Sequence, residues 1–237
     1  MTVTVESCVF AHTPTTEESD DGVILPYEIV NEHYVEKLGD IPTKPIYCVI
    51  KRSFDIIASF AALVLLFIPM IIIAIIVRLD SPGSAFYVQE RLGLNGKPIN
   101  VIKFRTMYTD AEQRGAQWSN GENDPRITPF GRILRRTRLD EIPQFWQTLI
   151  GEMSIIGPRP EREVFYNKFE TYIHGFSQRL RVKPGITGLA QVMGGYDLKP
   201  EEKIIYDIEY IKNRSVWLDI KIMFMTVKVI LTHKGAK

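Results

Sequence analysis

The sequence predicts an α+β protein: a mostly helical cytosolic domain with a small β-hairpin or sheet, anchored by a re-entrant membrane helix and by interfacial amphipathic helices. An uncharged apolar run fills residues 56–77. Two short strand-like runs flank a turn signal, and helical patterns dominate the remainder. The chain has 237 residues, a net charge of only +1 and two cysteines. These values exclude a strongly basic nucleic-acid binder and a disulfide scaffold, so we expect no nucleic-acid partner.

The first 50 residues differ in charge from the rest of the chain. They contain nine acidic side chains and only two basic ones, Lys37 and Lys44. Acidic, Thr- and Pro-containing sequence of this kind buries little apolar surface, which predicts a flexible extension over residues 1–50. The remainder is basic and suits anionic ligands or an anionic membrane surface.

The apolar run predicts a membrane helix within residues 51–80. A helix over 56–77 is about 33 Å long, enough for a hydrocarbon core of about 30 Å. Basic residues flank both of its ends, and Pro69 breaks it near the middle because proline has no amide hydrogen and collides with the Leu65 carbonyl. Together these features favour a helix that enters the membrane, turns at Pro69 and returns on the same side. A kinked spanning helix and a buried core helix are the alternatives.

Residues 81–237 are predicted to form the cytosolic domain. Strand-like runs at 86–89 and 99–104 enclose Asn95-Gly96, a hairpin turn signal. Helical patterns follow over residues 130–139, 143–150, 161–172, 200–213 and 216–232.

The last of these helices is amphipathic. Its apolar stripe consists of Trp217, Ile220, Phe224, Val227 and Leu231. Such a stripe with interleaved lysines fits a membrane interface, and it fits a core-facing helix equally well. Phe145 and Trp146 allow the same two interpretations, of which we favour the interface.

The densest group of charges lies at residues 132–143. Four arginines, including Arg135 and Arg138, stand close to the adjacent carboxylates Asp140 and Glu141. The two acids could simply cap the helix that Pro143 begins. However, four arginines exceed what capping needs, and arginine forks match phosphate or carboxylate oxygens, so we expect a ligand with several negative charges.

Other basic residues could join this group. Lys103 and Arg105 alternate with Phe104, so both could face one groove, although a solvated strand face is the alternative. Arg159 lies between two prolines that stiffen its backbone, which suits phosphate orientation or merely a rigid turn. The four histidines are scattered and no serine or cysteine nucleophile pattern occurs, which leaves carboxylates, arginines and a hard metal ion such as Mg²⁺ for chemistry.

The motifs along residues 51–237 resemble those of the bacterial sugar transferases, which are monotopic phosphoglycosyl transferases. They include Lys51-Arg52-Ser53-Phe54-Asp55, Gln89-Glu90-Arg91-Leu92-Gly93, Lys103-Phe104-Arg105-Thr106-Met107, Thr137-Arg138-Leu139-Asp140-Glu141-Ile142-Pro143-Gln144, Gly157-Pro158-Arg159-Pro160 and Lys183-Pro184-Gly185-Ile186-Thr187-Gly188. The family usually has Ser-Pro at the helix break, where this chain has Ile68-Pro69, so one stabilising contact is missing here.

The resemblance implies a covalent mechanism. A sugar 1-phosphate would pass from a UDP-sugar to polyprenyl phosphate, with release of UMP, as the first membrane step of capsule, exopolysaccharide or O-antigen synthesis. Asp140 would be the nucleophile, paired with Glu141, and both would hold Mg²⁺. The arginines that match the family's motifs, Arg135 and Arg159, would bind phosphate or nucleotide. Together with Lys103, Arg105 and Arg138, which the charge pattern indicates, they form the predicted phosphate-binding set.

The resemblance also implies a bacterial inner membrane location, with the catalytic domain on the cytoplasmic face and membrane lipid as a partner. A homodimer is left open, as are the sugar and the glycan. The competing hypothesis is a non-catalytic membrane scaffold that binds nucleotide sugar or lipid phosphate, but a scaffold has no need for an acid pair.

Overall fold

The computed structural model describes residues 23–24, 31–42, 44–111, 116–117, 124–194 and 198–232. Its helices are α1 Pro45–Leu65, α2 Phe67–Asp80, α3 Pro129–Thr137, α4 Phe145–Ile150, α5 Glu163–Glu170, α6 Leu189–Met193, α7 Pro200–Asn213 and α8 Val216–Thr232. Its strands are β1 Val23–Ile24, β2 His33–Tyr34, β3 Phe86–Leu92, β4 Pro98–Phe104, β5 Ala116–Gln117, β6 Ser154–Ile156, β7 Ile173–His174 and β8 Gly185–Thr187. Short 3₁₀ helices cover Leu94–Gly96, Leu139–Gln144 and Phe176–Arg181.

The mixed, mostly helical class is confirmed. The strands do not form one sheet, because in the described ranges they make four separate pairs: antiparallel β3–β4 and parallel β1–β5, β2–β7 and β6–β8. The predicted hairpin is present, with Phe86 opposite Phe104 and Leu92 opposite Pro98. Asn95 and Gly96 have φ of 56° and 75°, the left-handed backbone that this turn signal favours.

The apolar segment forms two helices rather than one. α1 and α2 are bent by 61° relative to each other. The break is at Leu66, and Pro69 is the third residue of α2. Because Pro69 has no amide hydrogen for the Leu65 carbonyl, the helix opens just before the proline. Among the described residues, no single helix is long and apolar enough to cross a membrane, whereas α1 and α2 taken together have the length and composition for it.

Charged residues near the start of α1 fix it to the rest of the protein. The Arg52 guanidinium donates to the Thr148 and Leu149 carbonyls at the end of α4, at 2.7 Å each. The Asp55 carboxylate accepts from the amide of Ile155 in β6 at 3.0 Å. Lys51 forms an ion pair of 3.0 Å with Asp219 of α8. α1 is therefore joined to three elements at its amino-terminal half.

Two apolar cores organise the elements around the predicted site. The larger core joins α5, α7, α8 and the 3₁₀ helix Phe176–Arg181, and its most deeply buried members include Phe169, Phe176, Ile204 and Ile222. The smaller core joins α2 to β4, α3 and the 3₁₀ helix Leu139–Gln144 through Ile73, Val77, Phe104, Leu134 and Ile142. The second core therefore ties the Asp140–Glu141 turn to the bent apolar segment.

Residues 31–42 are packed against the domain, although the sequence places them in a flexible extension. β2 pairs with β7, and Leu38 is buried between elements of the larger core. The Leu38 carbonyl accepts from Arg181 at 2.8 Å. Residues 45–50 already belong to α1. Residues 1–22, 25–30 and 43 of the predicted extension lie outside the described residues.

Candidate active site

The acid pair lies on a tight turn between two helices. α3 ends at Thr137, and Arg138 then adopts the left-handed conformation with φ of 58°. The 3₁₀ helix Leu139–Gln144 follows and carries Asp140 and Glu141, which are 7% and 4% exposed. α4 begins only at Phe145, two residues later than Pro143 suggests, because the proline lies inside the 3₁₀ helix. The reversal at Arg138 turns both carboxylates inward.

Glu141 is held by two cations from different elements. Its Oε1 atom accepts from Lys103 Nζ of β4 at 2.7 Å and from Arg159 at 2.6 Å. Burial alone would raise the pKa of Glu141, but the charges of Arg159 and Lys103 outweigh it and hold that pKa well below its usual range. Glu141 is therefore an ionised residue with one oxygen fully occupied.

Asp140 has a different environment although it is the adjacent residue. Among the described residues, no hydrogen-bond donor reaches its carboxylate. Burial, followed by the negative charge of Glu141, raises the pKa of Asp140 to about 6, against the opposing charges of Lys103 and Arg135. A carboxylate without hydrogen-bonded partners keeps its lone pairs available for attack on an electrophile.

Two further predicted arginines, Arg135 and Arg138, lie near the acid pair. Arg135 donates from Nε to the Thr106 hydroxyl at 2.8 Å, and its charge acts on Asp140. Arg138 acts through its charge on Glu141. Lys103, Arg135, Arg138 and Arg159 therefore surround the acid pair.

Arg105 is not brought into the site. Its guanidinium donates to the carbonyls of Val77, Ser81 and Pro82 at the end of α2, and the residue is 6% exposed. The expected alternation with Lys103 fails because β4 ends at Phe104, so Arg105 no longer follows the strand register. In this position Arg105 caps a helix end and is withdrawn from the phosphate-binding set.

The loop that presents Arg159 is fixed through its main chain. The Pro158 carbonyl accepts from the Gly185 amide at 2.8 Å, the Arg159 carbonyl from Arg179 at 3.0 Å, and the Glu161 carbonyl from the Leu92 amide at 3.0 Å. Gly185 is required at this contact, because a Cβ atom there would lie 2.1 Å from the Gly157 amide nitrogen. Three separate elements therefore hold this loop.

Sequence reasoning missed the ion pairs behind this loop. Arg91 pairs with Glu161 at 3.2 Å, and Arg179 pairs with Asp207 at 2.6 Å. The partners lie 28 to 70 residues apart in sequence, so no local charge cluster or spacing could reveal them. Arg91 lies in the Gln89-Glu90-Arg91-Leu92-Gly93 motif and Glu161 begins a predicted helix, but neither pattern indicated that the two residues pair.

The donor set around Asp140 and Glu141 fits a hard cation only in part. Asp140 and the second oxygen of Glu141 are hard oxygen ligands, as Mg²⁺ prefers. Among the described residues, no group of three histidine, cysteine or carboxylate side chains could hold a metal ion. A cation here would therefore complete its coordination with water and ligand phosphates, as Mg²⁺ commonly does.

The amphipathic stripe on α8 faces outward. Trp217, Phe224 and Leu231 are 76%, 74% and 74% exposed, whereas Ile222 is buried in the larger core. The core-facing alternative is therefore wrong for this stripe. Trp146 of α4 is also half exposed, and many apolar side chains of α1 and α2 are exposed, although Tyr47, Ile73 and Val77 are buried.

The chain is similar to known sugar transferases over most of its length. A family model described as bacterial sugar transferase matches residues 46–233. A UDP-N-acetylgalactosamine-undecaprenyl-phosphate N-acetylgalactosaminephosphotransferase of Aeromonas hydrophila is 39% identical, over 97% of this chain and 55% of the relative. A UDP-glucose:undecaprenyl-phosphate glucose-1-phosphate transferase of Escherichia coli (strain K12) is 40% identical, over 85% of this chain and 46% of the relative.

The chain thus spans about half the length of these two curated relatives. A shorter relative is covered almost completely. The exopolysaccharide production protein PSS of Rhizobium leguminosarum bv. phaseoli is 40% identical, over 78% of this chain and 96% of the relative. The matched region includes the acid pair, Lys103 and Arg159.

Proposed function

Because the chain belongs to the bacterial sugar transferase family, we propose that it transfers a sugar 1-phosphate from a UDP-sugar to polyprenyl phosphate, most simply undecaprenyl phosphate, and releases UMP. The names of the Aeromonas and Escherichia relatives support both substrate classes. The observation that carries the proposal is the buried acid pair, in which Lys103 and Arg159 hold Glu141, whereas no hydrogen-bond donor from the part of the chain that the structure describes reaches the Asp140 carboxylate.

The proposed reaction has two displacements at one phosphorus atom. A carboxylate oxygen of Asp140 forms a bond to the β-phosphorus of the donor, and the bond from that phosphorus to the bridging oxygen breaks, so UMP leaves with the electron pair. An oxygen of the lipid phosphate then attacks the same phosphorus. The acyl–phosphate bond breaks and the Asp140 carboxylate is restored. Covalent catalysis of this kind divides the transfer between a soluble donor and a lipid acceptor into two steps.

The neighbouring side chains supply position and charge. Four basic side chains surround the acid pair and would bind the donor phosphates: Lys103, Arg135, Arg138 and Arg159. They would stabilise the negative charge that builds up on the leaving oxygen of UMP during the reaction. Glu141 orients Lys103 and Arg159 by accepting from both. Mg²⁺, held by Asp140 and Glu141 together with the diphosphate, would neutralise further negative charge.

The exposed apolar helices support a membrane location for this chemistry. In the proposal, α1 and α2 form a re-entrant pair that enters the cytoplasmic face of a bacterial inner membrane and returns to it, and the α8 stripe lies in the interface. Polyprenyl phosphate keeps its phosphate in the headgroup layer, so an anchored site meets the acceptor without removing it from lipid. Phosphosugar transfer would then begin the assembly of a surface polysaccharide, in line with the name of the Rhizobium relative.

The direct test is UMP release by purified protein in detergent or nanodiscs, with Mg²⁺, undecaprenyl phosphate and a panel of UDP-sugars. Wild-type protein should release UMP, Asp140→Asn should lose it by at least about 10³-fold, and Asp110→Asn should serve as an exposed control with wild-type turnover. Donor binding without UMP release would contradict the proposal and favour the non-catalytic scaffold.

A further inference from the structure

A fully buried ion pair lies behind the loop that presents Arg159. Arg179, from the 3₁₀ helix Phe176–Arg181, and Asp207, from α7, are joined at 2.6 Å and are 2% and 1% exposed. The Arg179 guanidinium also lies over the ring of Phe176, 4.8 Å from its centroid, and 5.8 Å from that of Tyr166. The guanidinium is therefore held in one place by a carboxylate and two rings.

The same guanidinium is linked to the acid pair indirectly, through the main-chain carbonyl of Arg159. The Nη2 atom of Arg179 donates to the Arg159 carbonyl at 3.0 Å. The Arg159 side chain in turn donates to Glu141 at 2.6 Å. A chain of contacts thus runs from Asp207 through Arg179 and Arg159 to Glu141, which is adjacent to Asp140.

Fold stability alone is a weak reason for such a pair. Removing two charges from water carries a large desolvation cost, and replacing a buried ion pair by apolar residues of similar volume often leaves a protein equally or more stable. An apolar pair, however, has no donor for the Arg159 carbonyl. What the ion pair provides and apolar residues do not is a directed hydrogen bond to this carbonyl.

We propose that Arg179 and Asp207 are positioning residues that orient Arg159, and through it Glu141, for the phosphosugar transfer. This inference rests on the proposed function. Catalysis by charge stabilisation depends on fixed donors, and a displacement of about 1 Å can reduce the rate about 100-fold. Arg179 and Asp207 act on the reaction only through the Arg159 main chain.

The first test replaces the pair by apolar residues of similar size. The Arg179→Met/Asp207→Leu double variant should fold with a melting temperature close to or above that of the wild type. Its kcat for UMP release should fall about 10- to 100-fold, with a smaller change in KM for the UDP-sugar. Unchanged kcat in the folded double variant would overturn the inference.

Arg181→Met is the matched control. Arg181 lies on the same 3₁₀ helix and also donates to a main-chain carbonyl, but that carbonyl belongs to Leu38 in the amino-terminal segment. Its loss should leave kcat within about twofold of wild type, as expected for a site outside the contact chain. An equal loss of kcat in Arg181→Met would show a general effect of this helix and would overturn the positioning role.

A double-mutant cycle tests whether the pair acts through Arg159. In an Arg159→Ala background, the Arg179→Met/Asp207→Leu change should cost less than about twofold in kcat, because the residue it positions is already gone. If the losses of kcat from Arg159→Ala and from the double variant multiply, the pair acts independently of Arg159, which would contradict the inference.

If the Arg179→Met/Asp207→Leu variant does not fold, Arg179→Lys replaces it in both experiments. Lysine keeps the charge opposite Asp207 but loses the planar fork, so kcat should fall severalfold in the folded variant.

The outcomes separate this inference from the proposed function. An active wild type combined with full kcat in the pair variants overturns the positioning role alone. A wild type that releases no UMP from any tested UDP-sugar overturns both.

Discussion

At the residue scale, Asp140 and Glu141 show how neighbours in sequence acquire opposite properties. Both are buried on one 3₁₀ helix. Glu141 faces Lys103 and Arg159 at hydrogen-bond distance, whereas the Asp140 carboxylate lies near basic charges but accepts no hydrogen bond from the described residues. The pKa of Glu141 is therefore lowered and that of Asp140 is raised. Separate environments make separate roles, one carboxylate as nucleophile and the other as an anchor for cations.

The raised pKa of Asp140 predicts a stabilising substitution. In the folded protein its pKa is about 6, above the value in the unfolded chain. Ionisation at Asp140 therefore destabilises the fold, fully above pH 6, partly between about pH 4 and 6, and not at all below. Asp140→Asn should raise the free energy of unfolding at pH 8 by about 1–3 kcal/mol, and the gain should disappear near pH 4. Denaturant unfolding in detergent with EDTA measures it, and a destabilised Asp140→Asn at pH 8 would contradict the charge assignment.

The neighbouring substitution should have the opposite sign. Glu141→Gln leaves Lys103 and Arg159 partly buried without their common carboxylate, so the free energy of unfolding at pH 8 should fall by about 2–4 kcal/mol. Because the pKa of Glu141 is lowered in the fold, this loss should shrink as the pH falls below the ordinary range of a glutamate. The same unfolding series, run beside Asp140→Asn, measures it. Equal effects of the two substitutions would mean that the carboxylates are equivalent.

The sequence predicts the site residues that lie in local motifs, but it does not predict pairs formed by residues far apart in the chain. Local motifs predict a site that contains Asp140, Glu141, Lys103 and Arg159, and the structure brings these four side chains together. Strand alternation also predicts Arg105, but β4 ends one residue before it. The Arg179–Asp207 pair gave no signal, because its partners come from distant elements that only tertiary packing brings together.

At the element scale, the bent helix pair is determined by one residue and by its attachments. The bend at Leu66 follows from the missing amide hydrogen of Pro69. Arg52 and Asp55 attach α1 to α4 and β6. The period of apolar residues predicted α7 and α8 with their observed bounds, and α3 and α5 with differences of one or two residues at each end. It did not predict the docking of residues 31–42, where Leu38 is the one buried hydrophobic residue.

The bend makes a prediction about topology. In a background without native cysteines, single cysteines at Ile46 and Ser84 should both resist an impermeant maleimide on intact cells, because both ends of the pair stay on the cytoplasmic side. Pro69→Ala allows a straighter helix and should make one of the two positions reactive. Labelling of one position with Pro69 present would show a spanning helix. Unchanged protection in Pro69→Ala would show that the proline is dispensable.

The docked amino-terminal segment makes a prediction about stability. The Leu38 side chain is only 8% exposed and packs in the larger core. Leu38→Ala should therefore lower the free energy of unfolding by about 2 kcal/mol. The neighbouring Lys37→Ala is exposed and should change it by less than about 0.5 kcal/mol. Urea unfolding distinguishes the two variants, and equal, negligible effects would mean that residues 31–42 do not dock in solution.

In the molecule as a whole, the active site packs directly against the helices that carry the exposed apolar surfaces. The 3₁₀ helix with the acid pair packs on α2 through the smaller core, and α1 contacts α8 through Lys51 and Asp219. Exposed apolar patches larger than a few hundred Å² usually mark an interaction surface. The acid pair is therefore packed against the same apolar helices that, in the proposal, hold the protein at the headgroup layer.

Attachment of the phosphosugar to Asp140 can be detected directly by labelling. Wild-type protein is incubated with Mg²⁺ and a UDP-sugar labelled in the β-phosphate, without lipid acceptor, and the digested protein is analysed by mass spectrometry. We expect label on the peptide that contains Asp140, release of an equal amount of UMP, and loss of the label when undecaprenyl phosphate is added. UMP release that requires both substrates together, with no label on Asp140 at any time, would contradict this expectation.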